Sequence, residues 1–494
     1  LSSYHHPLLM DIAVCVTSQF DDDSDGGNKR HKEVIKWDEL SKDVMLQYKD
    51  YTCSLLSNVE IKHDLLLCDN VHCTSQTHKN NIDTMYSDIC NALLEAGRHF
   101  SRDKKVHKGK QVLGWNDYCK EAHSQARDTY LTWRSHGKPK HGIIFENMKK
   151  SRAYFKHLFR KCKTFDSTLK ADHLAKKLLV KNDKQFWKEI KKMSNDNCDV
   201  ASTINNVTGS KNVSDMWKCH FQTILNSSND VSQKPHVLDS IRESSLNIDR
   251  FNVDEVMEAL KGLKAGKSCG LDDIYGEHMK YAHDKLSVLL ALLFNAIVIH
   301  NYLPPCLLNT IIVPIIKDKQ GNASDKDNYR PLAITCVISK VFEFLVLQRC
   351  KDFMHTSSNQ FGFKSKLSTD LCIFALKQVI EYYNSYNSPV YACFLDASKA
   401  FDKINHWHLF SKLLARGFPT ILVRLFISWY TLQKYVVQWG TNISDPFYVS
   451  NGVPQGRILS PSFFNLFMDD LSLLLNASDD GCIINGSKMN HLFY

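Results

Sequence analysis

The chain has 494 residues, 43% hydrophobic and 23% charged, so it can bury real cores and is not disordered as a whole; about two to four domains are expected. Lys and Arg number 62 against 53 Asp and Glu, a net of +9, which favours polyanions over cationic substrates as partners. The 16 cysteines are scattered without a C-x2-C pair, which excludes the dense disulfide framework of a small secreted domain and points to a reducing compartment.

Residues 1–20 pass from a Ser/His-rich turn into an apolar, strand-like stretch, HPLLMDIAVCV, the tail of something begun earlier. The first residue is Leu1, and no basic region leads into an apolar one, so there is no signal peptide to read and the sequence is taken as a fragment. DDDSDGGNKR at 21–30 is a solvated linker. Helical patterns then dominate to residue 195, giving a helical linker over 21–195. Its basic segment, 101–195, holds 25 Lys/Arg against 9 Asp/Glu, a local net of +16 that leaves −7 for the rest of the chain. Within it Trp115, Trp133, Tyr154, Phe155 and Phe159 read as core aromatics. Arg152, Lys156, Arg160 and Lys161 recur at helical spacing, either as a cationic face for RNA phosphates or as a merely solvated face. Cys68, His72, Cys73 and His78 stand at C-x4-C-x4-H spacing, which matches no common structural-zinc pattern, so a helix-packing cluster is the preferred reading. The Asn/Ser-rich span 196–250 is expected to be a flexible joint.

A new domain opens at Asn252, a helix cap three residues before Glu255, followed by Val253, Val256, Met257, Leu260 and Leu263 at helical spacing. LSVLLALLFNAIVI at 286–299 has 14 residues, short of the roughly 20 that span a bilayer, and is expected to be a buried helix. TIIVPII at 310–316 and VYACFL at 390–395 are strongly β-prone, with the helix-patterned LCIFALKQVIEYY between them. The order predicts an α+β domain.

The chemistry concentrates in YACFLDASKAFDKINH, 391–406, where an apolar strand ends in Asp396 and a short turn leads to Phe401 and Asp402. A carboxylate at a strand's mouth suits a hard divalent cation, although such an Asp taken alone is more often a turn or cap residue. NGVPQGRILSPSFFNLF follows at 451–467 as a glycine-flanked loop running into a helix that starts at SPSFF, whose amides can face a base pair or phosphates. IIVPIIKDK and DNYRPLAI, ahead of both, supply Lys317 and Arg330 as isolated cations.

In combination and in order, KSCGLDDIYGEHMK, PIIKDKQG, NYRPLAI, FGFKSKLST, FLDASKAFD and GVPQGRILSP resemble the reverse transcriptase domain of non-LTR (LINE-class) retrotransposons, jockey-like and CR1-like elements among them. The resemblance covers residues 252–494. It implies right-hand polymerase fingers and an incomplete palm over 251–494, with an antiparallel sheet, helices on one face and the thumb absent. It implies that Asp396 is the first Mg²⁺-binding aspartate, with the Ala397 carbonyl beside it. Phe401 would exclude a ribose 2′-hydroxyl, Lys317 and Arg330 would hold the incoming triphosphate, and Gln455 and Gly456 would border the nascent base pair. The implied partners are an RNA template, a DNA primer or target and dNTPs, with no membrane, and the implied setting is intracellular, in nucleus and cytoplasm. The reaction would be template-directed addition of dNTPs to a primer 3′-hydroxyl by two metals.

The family continues NHLFY directly with Ala-Asp-Asp, the aspartates that complete the metal site, whereas MNHLFY closes this sequence at Tyr494. The resemblance therefore implies a chain inactive as it stands, and a non-catalytic RNA-binding relic is the rival reading. FMDDL at 467–471 imitates a polymerase aspartate pair, but Phe463, Phe464, Phe467 and Leu471 fall at helical spacing, so it reads as the end of the helix begun at SPSFF. LSSYHHPLLMDI resembles the last motif of the endonuclease that precedes the polymerase in such elements. His5 would be its catalytic histidine, yet Tyr4 occupies the aspartate's place, and an ordinary turn histidine is the plainer reading.

Overall fold

The computed structural model describes residues 40–101, 117–179 and 203–494, apart from 229, 245, 247 and 248, together with residues 35, 37, 115, 186, 187 and 190. His5 and the endonuclease-like segment lie outside the described residues. Two compact units result: one gathers the described residues up to Ser101 and from Thr203 onward, the other those between Asp103 and Val200. The units divide the chain differently from its composition, because 42–100, expected in the helical linker, fold with the second half.

In the larger unit, helix α1 (Lys42–Leu56) is capped by Ser41, whose hydroxyl accepts from the Val44 amide. Helix α2 (Gln76–Phe100) buries Ile82, Met85, Ile89, Leu93 and Ala96 at three- and four-residue spacing. Both are tied to later elements by phenols: the buried Tyr48 donates to the His278 carbonyl at 3.0 Å and the half-buried Tyr302 to Asp83 at 2.6 Å.

Helix α3 (Ser210–Ile224) and the hairpin pairing Thr203–Ile204 with Val207–Thr208 occupy the span expected to be a flexible joint. The Asn/Ser composition hid a stripe four residues apart, Val213, Trp217 and Phe221, all buried. Helix α4 (Val253–Lys261) begins with the expected reciprocal cap: the Asn252 side chain accepts from Glu255 N while Glu255 accepts from Asn252 N. Helix α5 (Lys285–His300) is buried on nearly every side, and among the described residues no helix is long and apolar enough to cross a membrane.

Strand β1 (Asn309–Ile316) pairs antiparallel with β2 (Tyr329–Ile334), with Ile315 opposite Arg330, and parallel with β3 (Lys434–Trp439), with Ile311 opposite Val436. Strands β4 (Asn442–Ile443) and β5 (Phe447–Tyr448) both pair antiparallel with β3, giving the order β2-β1-β3-β4. The sheet is therefore mixed rather than wholly antiparallel, since a long helical crossover returns the chain parallel to β1. Helix α3 covers one face, where Trp217 and Phe221 join Ile312, Tyr329, Tyr435, Val437 and Trp439 in a separate core. The main core is helical, with α2, α4 and α5 packed with α6 (Val337–Arg349), α7 (His406–Ala415), α8 (Thr420–Leu432) and α9 (Ser460–Ala477).

The β-prone 390–395 does not form a strand. It runs irregular and exposed, Tyr391 at 93% and Leu395 at 92%. Strand propensity is realised only against a free sheet edge and a covering layer, and none of the described strands pairs with this stretch. The preceding helix, Thr369–Ser385, forms as expected but buries only Val379. FMDDL lies inside α9, which continues to Ala477, so the helical reading holds while the helix end falls later than the sequence suggested.

In the smaller unit, helices Asp117–Ser135 and Ile143–Thr164 pack together. Trp115, His123, Phe155 and Phe159 form an edge-to-face and stacked cluster, and Trp133 donates to the Pro139 carbonyl at 2.9 Å. Of the expected core aromatics, Tyr154 and Trp115 are exposed and Trp133, Phe155 and Phe159 are half-buried, so none is sealed in a core.

Trp217 stacks on Phe221 at 5.3 Å between centroids and meets Tyr329 at 4.9 Å and Trp439 at 5.7 Å. Trp217→Ala is expected to lower unfolding free energy by about 3–5 kcal/mol, read by urea denaturation; a loss under about 1 kcal/mol would show that α3 does not stabilise the sheet.

Candidate active site

The turn after Asp396 and the loop before α9 are built as one piece. Val453 N donates to the Phe401 carbonyl at 2.9 Å and Gly452 N to the Ile404 carbonyl at 2.7 Å. His406, fully buried and pushed down to about 4 by desolvation, is a neutral imidazole whose Nε2–H donates to the Gly452 carbonyl at 2.8 Å. Gly452 sits at φ +88°, and a Cβ there would stand 2.9 Å from the Asp402 carbonyl oxygen. The same loop docks on the sheet through Ala333 N, which donates to the Gln455 carbonyl at 2.8 Å. Gly456, at φ +131°, lies so close to β2 that a Cβ would come within 2.4 Å of the Ala333 oxygen.

Beneath the loop lies Glu343, a lone acid in the apolar run of α6 and almost fully buried. Its Oε2 accepts from Ile458 N at 2.8 Å and Leu459 N at 3.1 Å, amides at the mouth of α9. Burial raises its pKa, while Arg457 and the two amides pull it back. The buried Arg457 guanidinium lies over the Trp429 ring at 4.7 Å, donates to Thr310 Oγ1 at 3.3 Å, and stands 3.8 Å from Glu343 Oε1. The amides of Gly452, Val453, Ile458 and Leu459 are thus already engaged inside the protein, so these four do not present themselves to a base pair or phosphates.

Phe401 is held between rings, stacked on Phe464 at 4.7 Å and 10° and edge-on to Phe363 at 5.4 Å. Asp402, 5% exposed, accepts from Gln455 Nε2 at 3.1 Å. Desolvation pushes its carboxyl up to about 6 against the lowering effect of Gln455, Lys399 and Lys317. Lys317 extends β1 and donates to the Asp327 carbonyl at 2.9 Å. The alternation of side chains places it on the face of Arg330, opposite Ile315, and Arg330 is exposed. Lys399 stands 3.8 Å from Asp327. Together Lys399, Lys326 and Lys317 reinforce the desolvation that lowers His220 to about 4, which marks a local cationic field that a sequence reading of Lys317 and Arg330 alone misses.

Asp396 and Ala397 stand apart from this construction, on the exposed irregular stretch. Among the described residues no group of three or more acidic, histidine or cysteine ligands includes Asp396. Magnesium requires near-octahedral oxygen ligation. The donors present do not build such a site, since Asp396 is solitary and Asp402 is turned inward to Gln455. The aspartates of FMDDL are spoken for: Asp469, buried, accepts from Ser357 N at 2.7 Å and pairs with Arg416, and Asp470 pairs with Lys412 at 2.8 Å.

The structure thus brings Phe401, Gln455 and Gly456 together with Lys317 and β2, and leaves out Asp396 and Ala397. It adds Asp402, Lys399, Glu343 and Arg457. A charged residue inside an apolar run was the available signal for Glu343; Asp402 carried none beyond its motif.

Residues 316–494 match the reverse transcriptase (RNA-dependent DNA polymerase) family. The chain is 30% identical over 247 residues to the "Probable RNA-directed DNA polymerase from transposon BS" of Drosophila melanogaster, covering 48% of this chain and 27% of that protein. It is 29% identical to the corresponding protein of transposon X-element, over 53% of this chain and 30% of the relative. To the "RNA-directed DNA polymerase from mobile element jockey" of the same fly it is 27% identical, over 52% and 30%. The chain spans under a third of the length of these curated relatives.

An acid whose folded pKa stands above its unfolded value keeps its proton longer when folded. Asp402 therefore costs no stability below about pH 4 and costs progressively more as pH rises through about 6. Asp402→Asn, neutral throughout, is expected to gain up to about 3 kcal/mol over the parent near pH 7 and to match it near pH 4. Urea unfolding of both across that range checks this; parallel profiles would count against it.

Proposed function

With residues 316–494 matching the reverse transcriptase family as premise, we propose that this chain is the fingers and partial palm of an RNA-directed DNA polymerase from a non-LTR retrotransposon. The complete protein would extend a primer 3′-hydroxyl with dNTPs on an RNA template, working in nucleus and cytoplasm. The observation that carries this reading is the hydrogen-bonded union of the Phe401–Ile404 turn with the Gly452–Gly456 loop, docked on the strand that carries Arg330 beside Lys317. In that arrangement Lys317, Arg330 and Lys399 offer cations to triphosphate oxygens. Phe401, fixed by Phe363 and Phe464, supplies a rigid wall against a sugar, and Gln455 and Gly456 form the floor for a base pair.

Among the described residues no group of carboxylates gathers of the kind that phosphoryl transfer by metal ions uses. Primer extension on an RNA template with Mg²⁺ is expected to give no product. Extension that Asp396→Ala abolishes would overturn the proposed inactivity.

A binding role has its own support. Arg152, Lys156, Arg160 and Lys161 are all exposed on helix Ile143–Thr164, while Phe155 and Phe159 of the same helix stack on each other half-buried. Four phosphate contacts on a single strand predict an RNA affinity about 50-fold weaker at ~200 mM than at ~50 mM salt. Fluorescence anisotropy measures this. The fourfold alanine variant is expected to lose most of the salt dependence, and an unchanged slope would refute the assignment.

A further inference from the structure

Cys68, Cys73, His78 and His300 converge although His300 lies far away in sequence. One ligand atom from each, two sulfurs and two ring nitrogens, all lie within 4.8 Å of one another. Cys68 follows the short helix His63–Leu66, Cys73 lies in the loop before α2, His78 is in the first turn of α2, and His300 closes α5. His72, which shares the sequence cluster, is not a member. Cys73 Sγ stands 3.4 Å from His78 Nδ1, and the His78 and His300 rings meet edge-on at 4.9 Å.

We propose that these four side chains form a structural zinc site of Cys2His2 type. Three observations beyond proximity support it. His300 is only 4% exposed, and neither ring nitrogen makes a hydrogen bond of full geometry, although the Leu65 backbone lies nearby. Buried imidazoles without partners are unusual, and a metal ion satisfies one nitrogen outright. Second, His78 Nε2 faces Asp64 Oδ2 at 3.8 Å while its Nδ1 faces Cys73, the arrangement in which a carboxylate orients a metal-bound imidazole. Third, the ligands are held in place by a group outside the cluster. Arg424 donates to the Val71 carbonyl at 2.6 Å and to the Ile299 carbonyl at 3.1 Å, tying the cysteine loop to the end of α5.

The donor chemistry selects the ion: two soft thiolates and two imidazoles in tetrahedral array suit zinc. Zinc at about 2.3 Å from sulfur and about 2.0 Å from nitrogen sets ligand atoms roughly 3.3–3.8 Å apart, so the cluster closes on an ion by movements of about 1 Å. Two thiolates and two neutral histidines also balance its charge. Both cysteines are free thiols here, and binding releases their protons to solvent.

The test is metal analysis of the 494-residue chain purified from zinc-containing medium under reducing conditions, followed by cobalt substitution. About one zinc per chain is expected, and Co²⁺ is expected to give the visible and thiolate charge-transfer bands of a tetrahedral sulfur-bound ion. Cys68→Ser, Cys73→Ser and His300→Asn are expected to lose the metal, and His72→Ala to keep it. A folded wild-type chain with under about 0.1 zinc and no cobalt band overturns the proposal, whether or not the cysteines oxidise to a disulfide. Loss of zinc from His72→Ala equal to that from His300→Asn overturns the ligand set. If the cysteine variants do not fold, the wild-type zinc content and cobalt spectrum still decide.

Discussion

A carboxylate sealed from water, Glu343, is the constraint on which the central architecture turns. Its burial is tolerable only because two amides at the mouth of α9 and the Arg457 guanidinium surround it. An unpaired charge in that place would cost several kcal/mol, and removal of one member of such a pair typically costs about 3–5 kcal/mol. The demand runs in both directions. Glu343 fixes where α9 begins, and that fixes the loop running into it against β2 on one side and the Phe401 turn on the other.

From that anchor the rest of the site follows by close approach. Gly452 and Gly456 occupy positions where side chains would strike backbone oxygens of Asp402 and Ala333. The loop can therefore touch both the turn and the sheet, and Gln455 can reach Asp402. The amides used in this construction are withdrawn from any ligand, while Lys317, Lys326 and Lys399 beside Asp327 set a cationic field next to it.

The amino-terminal helices show the same economy. Residues 42–100 complete the core of the larger unit through Tyr48, Asp83 and the apolar face of α2. Arg424 on α8 then links a loop of that segment to the end of α5, and it is there that the two cysteines and two histidines meet.

Much was legible in the amino-acid order alone. The reciprocal cap at Asn252, the buried helix over 286–299, the strand at 310–316, the helical nature of FMDDL and the family to which the motifs point all rest on local pattern, and local pattern is what a linear sequence carries. What depended on distant partners was decided by the tertiary structure. The stretch 390–395 has strand propensity but no edge to pair with, so Asp396 stands in solvent. Asn/Ser composition over 203–244 yielded to Val213, Trp217 and Phe221 once a sheet was there to receive them. His300 replaced His72 beside the cysteines because proximity in space, 222 residues after His78, is set by the packing of α5 on α2 and leaves no trace in spacing. Pairing, burial and convergence are properties of two surfaces at once, and a sequence read along one line specifies only one of them at a time.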